Sequence, residues 1–170
     1  MKKIYILVFI ILVIVGVKAS AQEYEVPKHY IFKTNADYLT AEPEILKTIN
    51  WLEKTPWHQE TRKRDEAKAF VLKWIDGSPD VTINLNSEVV HLAKDNPELL
   101  GSYMFGYTKY ALLHKTDFDD TKAKKSGVKA IIDKYAAESS HRQNSEVDKV
   151  TAIDKEGKLD NWITTDFNVH

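Results

Sequence analysis

The 170-residue chain contains no cysteine. That excludes disulfides, thiolate nucleophiles, thiolate metal sites and a lipid-modified cysteine at an export junction. Glycine is scarce, at six residues, and none of them builds a phosphate-cradling run or a Gly-x-Ser-x-Gly nucleophile elbow. Neither sign of charge dominates, since 24 Lys and Arg face 25 Asp and Glu for a net charge of −1. Nothing in that balance draws the chain to a phosphate backbone, so nucleic acid is not an expected partner. Long hydrophobic runs are missing as well. The longest, Ile4 to Val17, has 14 residues with Gly16 inside it, and a spanning helix needs about 20.

What is present begins with that run. Lys2 and Lys3 precede it, Lys18 closes it, and Ala19-Ser20-Ala21 supplies the small residues of a cleavage site. Residues 1–21 therefore read as a signal peptide, with the mature chain starting at Gln22 and not stably inserted in a membrane. Residues 1–21 hold three lysines and no acid, so their removal leaves 149 residues at a net charge of −4. A chain of that size makes one domain, burying about two-thirds of the surface its unfolded form exposes. The expected location is exported, periplasmic or secreted.

Hydrophobic periodicity along the mature chain is helical. Residues 22–39, interrupted by Pro27, read as an extended arm over the surface, and residues 40–170 as a single helical domain. Thr40 is the expected cap of a first helix ending near Lys54. The second helix carries Ala67, Phe70, Val71, Trp74 and Ile75 at helical spacing and stops at Asp76-Gly77-Ser78-Pro79. Val81 to Leu85 alternates but has no partner strand, so it reads as an extended connector. Ser87 is expected to cap a short helix to about Lys94, and Asn96 to cap the next, with Pro97 in its first turn. That fourth helix, to about Lys115, is apolar around most of its circumference, as central helices are. Gly101 and Gly106 each cost it about 1 kcal/mol relative to alanine, which close packing of neighbours offsets. A fifth helix starts near Asp119, a polar loop spans Glu138 to Asn144, Ser145 caps a sixth, and Gly157 ends it before a final turn. The fold class is all-α, a compact bundle of six to seven antiparallel-packed helices.

Tests for chemistry return little. The six histidines include no pair three to five residues apart and no His-Glu-x-x-His, so no metal is expected. His114 with Asp117, Asp119 and Asp120 is the densest cluster, and capping of consecutive helices explains it. The loops starting at Asp117 and Asp154 fail the EF-hand pattern, with Lys122 where the first needs glycine and Gly157 two positions early in the second. No cofactor motif occurs. Arg62-Lys63-Arg64, set among Glu60, Asp65 and Glu66, reads as a solvated face, and Lys122, Lys124, Lys125 and Lys129 as exposed lysines.

Aromatic residues are the remaining lead. Tyr103, Tyr107 and Tyr110 stack along one helical stripe, and Trp57 lies at a turn. These four are the candidate binding residues, because tyrosine and tryptophan offer apolar faces with polar tips. Core packing accounts for the same stripe spacing.

The Ala-Ser-Ala-Gln junction, Trp51-Leu52-Glu53-Lys54-Thr55-Pro56 and Trp74-Ile75-Asp76-Gly77-Ser78-Pro79 together resemble the uncharacterised small exported helical proteins of Bacteroidota. The resemblance implies an envelope location and an all-helical fold, and carries over no catalytic residue. Three roles follow as expectations. The first is a non-enzymatic module binding a protein or envelope partner. The second is a small hydrolase or lyase acting on cell-wall or glycan material, using Glu88, Asp117 or Asp119 with His91 or His114. The third is an inhibitor or immunity-type protein presenting the acidic loop 116–121.

Overall fold

Thr34 and Asp37 start the first helix by satisfying each other's backbone. In the computed structural model, which describes residues 24–167, the Asp37 carboxylate accepts from the Thr34 N–H at 2.8 Å and the Lys33 N–H at 2.9 Å. The Thr34 hydroxyl in turn accepts from the Asp37 N–H at 3.4 Å, completing a capping box. Helix α1 therefore spans Asn35–Lys54 and does not wait for Thr40, which corrects the boundary read from sequence. Pro43 lies inside α1 on an exposed side. Its nitrogen cannot serve the Leu39 carbonyl, and Leu39 is itself exposed. The signal peptide expected over residues 1–21 lies outside the described residues.

The arm before α1 is shorter than expected and it packs. Tyr24 and Val26 are buried, Tyr24 stacks on Trp51 at 4.7 Å and donates to the Thr48 hydroxyl at 3.0 Å. Tyr30 and Phe32 continue inward against Phe70, at 4.7 and 5.9 Å between rings.

Six more helices follow among the described residues: α2 (Thr61–Gly77), α3 (Ser87–Ala93), α4 (Glu98–Leu113), α5 (Asp120–Ala137), α6 (Ser145–Lys155) and α7 (Leu159–Thr165). No strand occurs among them, and Val81 to Leu85 is an extended connector. The fold is an all-α bundle. None of these helices is long and apolar enough to cross a membrane. Gly157, at φ 70°, ends α6. Its N–H reaches Asp154 O at 2.9 Å while the Lys158 N–H reaches Ile153 O at 3.0 Å, which is a Schellman stop.

Three asparagines do work that the sequence reading gave to serines or to capping. Asn86, not Ser87, caps α3, accepting from the Val89 N–H at 3.0 Å while its amide donates to Phe167 O near the other end of the chain. Asn144, not Ser145, caps α6, and its amide donates to His91 O and Leu92 O at 3.3 and 3.2 Å. Asn96 does not cap α4 with its side chain. It exchanges two 2.7 Å bonds with the Arg142 backbone. An asparagine amide both donates and accepts, so one residue ends a helix and ties down a distant segment, which a serine hydroxyl does less well.

Helices α4 and α5 form the centre and touch backbone to backbone. A Cβ added at Gly106 would lie 2.6 Å from Ala130 Cβ and from Ser126 O, and one at Gly127 would lie 2.6 Å from the Tyr103 ring. Small residues on both helices permit that approach. Trp74, Tyr103, Phe70 and Phe167 are the largest side chains sealed in the core around it.

Candidate ligand-binding cleft

The last turn of α1 leaves carbonyls that its own helix cannot use. Two cations from distant helices take them. Arg64, on α2, donates from Nη1 to Leu52 O at 3.1 Å and Thr55 O at 2.5 Å. Lys134, on α5, donates to Glu53 O at 3.3 Å and Thr55 O at 2.7 Å. Positive groups belong at the negative end of a helix dipole. Both are almost sealed, at 5 % and 7 % exposure. Burial pushes the Arg64 guanidinium below its usual range, against the pull of Glu98, Glu138 and Asp65. It also lowers the Lys134 ammonium, although Glu138 lies 2.7 Å away. Glu138 completes the knot by accepting from the Trp57 N–H at 3.1 and 3.2 Å.

Beside this knot the helices α1, α2, α4 and α5 leave a cleft of about 300 Å³. Leu52, Phe105, Gly106 and Ala130 make its apolar floor, and Arg64 and Lys134 reach it from the knot. Its rim is built from ion pairs that cross between helices. Lys68 on α2 meets Glu98 on α4 at 3.1 Å, and Lys109 on α4 meets Glu53 on α1 at 2.7 Å. Lys129 on α5 meets Asp154 on α6 at 2.8 Å. Burial pulls Lys68 down, yet Asp65 and Glu98 together leave it above its ordinary range. The hydrogen bond to Asp154 raises Lys129.

Lys134 is positioned rather than reactive. The three N–H bonds of Lys134 go to Glu53 O, Thr55 O and Glu138, so its nitrogen has no lone pair to attack with. The cleft instead offers fixed donors and acceptors over an apolar floor, the usual composition of a ligand site.

The residues singled out from sequence lie elsewhere. Tyr103 is fully buried, with its hydroxyl unpartnered. Tyr107 is buried and donates to Asp120 at 2.8 Å. Burial raises both phenols, and the Asp120 carboxylate adds to it in each case. Tyr110 is half-buried and stacked on His114 at 4.2 Å. Trp57, also half-buried, spends its backbone N–H on Glu138. Tyr103 and Tyr107 thus serve the core, and only Tyr110 and Trp57 keep surface. His91 sits 3.7 Å from Glu88 on α3, and His114 sits 3.3 Å from Asp117 after α4. Both pairs are surface neighbours along the chain. Asp119 caps α5, accepting from the Lys122 N–H at 3.0 Å. Among the described residues no three His, Asp or Glu side chains gather to hold a metal ion.

Sequence reasoning missed Arg64, Lys134 and Glu138, and it placed Arg64 on a solvated face. The signal was present. Arg64 precedes the buried Ala67, Val71 and Trp74 by 3, 7 and 10 positions, and Lys134 and Glu138 follow Ile131 by 3 and 7. A charge on the apolar stripe is buried and must find partners. Lys129, read as exposed, is half-buried in its pair with Asp154. Compared with protein-family models, curated proteins and solved structures, the chain matches none.

Proposed function

We propose that the chain is an exported, non-catalytic binding module, akin to the small exported helical proteins of Bacteroidota, and that it holds an envelope component in the cleft between α1, α2, α4 and α5. One observation carries this reading. The cleft walls are four different helices, locked by the pairs Lys68–Glu98 and Lys109–Glu53, so the charges that face a ligand stand in place before it arrives. Preorganised groups recognise at low entropic cost. Export is supported by the Lys2-Lys3 start, the short apolar run and Ala19-Ser20-Ala21.

Two measurements test it. N-terminal sequencing of the chain recovered from the periplasmic or culture fraction of an expressing bacterium is expected to begin at Gln22; retention of Met1 overturns the cleavage, and recovery only from the cytoplasm overturns export. For binding, fractionated envelope extract is added to the wild type and to Ser102→Trp, whose indole fills the cleft from its half-buried edge. A ligand at a hundredfold excess over its Kd raises the wild-type Tm by roughly 5–10 °C and leaves the variant unmoved. Equal responses of the two proteins, including no response in either, refute the cleft as the binding site.

A further inference from the structure

Val81-Thr82-Ile83-Asn84-Leu85 has the makings of a β-strand and no partner to pair with. Its residues alternate apolar and polar, and three of the five are β-branched. It runs extended between α2 and α3. Among the described residues, no backbone N–H or carbonyl of these five bonds to another part of the chain. Val81 is sealed, Ile83 is half-buried, and Thr82, Asn84 and Leu85 are exposed, so the segment lies at the surface. Proteins usually protect such an edge with lysine, proline or a bulge. Residues 81–85 carry no charge, no proline and no glycine.

An open groove runs beside the connector. Val81, Thr82 and Ile83 form one bank, and Leu72 and Ile75 of α2 with Met104 of α4 line the rest. Leu72 and Leu85 keep 38 % and 45 % of their surface. A second strand laid along the connector would satisfy the open backbone groups and set its alternate side chains in the groove.

The pattern of the segment says which strand that is. Antiparallel pairing centred on Ile83 sets Val81 opposite Leu85 of a second copy, and Thr82 opposite its Asn84. Apolar then meets apolar and polar meets polar at every position. The first charge outward, Asp80, falls opposite the neutral Asn86, and Lys115 already holds it at 3.5 Å. No like charges face each other. A slip by one residue sets apolar against polar throughout. A segment that complements itself when reversed is what a twofold interface requires.

We propose that two copies of the chain pair through residues 81–85 as antiparallel strands, about a twofold axis at Ile83. Five residues a side with one groove belong among the small interfaces, under about 1,200 Å², so the dimer is weak and reversible. It is independent of what the cleft between α1, α2, α4 and α5 holds.

Sedimentation equilibrium of the purified chain reads the pairing as an average mass that climbs from one copy toward two with concentration. Two variants at the exposed positions 82 and 84 test the register, each checked for wild-type helicity by circular dichroism. Thr82→Lys/Asn84→Lys sets lysine opposite lysine twice, and should weaken the dimer about tenfold or more. Thr82→Lys/Asn84→Glu sets lysine opposite glutamate twice, and should associate at least as tightly as the wild type. Weakening in both variants overturns the antiparallel register, because a parallel pair sets the new lysines side by side in each. Equal association of all three proteins overturns the connector as the interface and places self-association on another surface, such as the apolar run at residues 4–17. A chain that stays monomeric at every concentration overturns self-pairing outright.

Discussion

Alanine at Gly101 and at Gly106 should move stability in opposite directions, although both lie in α4 five residues apart. Replacing a helical glycine by alanine gains about 1 kcal/mol from the backbone alone. At Gly101 the new methyl would meet the Phe105 ring at 3.4 and 3.5 Å, ordinary contact, so the gain survives. At Gly106 it would meet Ala130 Cβ and Ser126 O at 2.6 Å, and Gly127 Cα at 3.1 Å. None of those atoms can rotate away. Helix α5 would have to retreat by about 1 Å to restore normal separations, loosening the seat of Tyr103 against Gly127. Overpacking of this kind costs about 1–3 kcal/mol, and backbone-level clashes belong at the upper end. After the propensity gain, Gly106→Ala should lose about 2 kcal/mol, or roughly 4–8 °C in Tm, while Gly101→Ala gains roughly 2–4 °C. Urea unfolding followed by tryptophan fluorescence, with Tm from far-ultraviolet circular dichroism, reads both. A Gly106→Ala protein as stable as the wild type, or a Gly101→Ala protein equally damaged, would refute the close approach of α4 and α5.

Two tyrosines should also part company. Tyr107→Phe removes a 2.8 Å bond to a carboxylate and should cost about 1.5–3 kcal/mol, whereas Tyr103→Phe removes a sealed, unpartnered hydroxyl and should stabilise by about 1 kcal/mol, both read from urea midpoints. Glu138→Ala strands Lys134 and the Trp57 N–H in the interior, so a loss of about 3–5 kcal/mol is expected by the same assay. Backbone hydrogen bonds from Lys33 and Thr34 hold the exposed Asp37 carboxyl below its ordinary 3.8. Its contribution is therefore complete above that value and disappears as the pH falls through the lower folded pKa. Asp37→Asn should flatten the wild type's loss of stability below about pH 4, and an unchanged acid limb of the Tm–pH curve would refute it.

The elements were legible where one residue type had one reason to be there. Gly157 stops α6 because only a left-handed residue closes a Schellman turn, and the stripe on α2 could face nothing but a core. Boundaries slipped where two caps competed. Thr34 beat Thr40 because Asp37 answers it reciprocally, and Asn86 and Asn144 beat the serines beside them because their amides had second partners 81 and 52 residues away. The cleft was harder to see. Its rim joins Glu53 to Lys109 and Lys68 to Glu98, 56 and 30 residues apart. Periodicity tells which way a side chain points and not which helix it will meet. Tyr103 shows the same gap from the other side, since α4 is apolar nearly all round and it is Gly127 on α5 and Phe167 near the far end of the chain that make the ring core.

The knot at the end of α1 has a consequence in time. Thr55 O waits for the ammonium of a residue 79 positions later, which at about 5–20 residues per second leaves the ribosome roughly 4–16 s afterwards. Through that interval Arg64 alone serves Leu52 O and Thr55 O, Glu53 O is left to water, and α4 lacks the helix it packs against. The α4–α5 centre consequently cannot close until α5, which ends at Ala137, has been made. A copy whose synthesis stops before α5 lacks that centre and stands open to proteases.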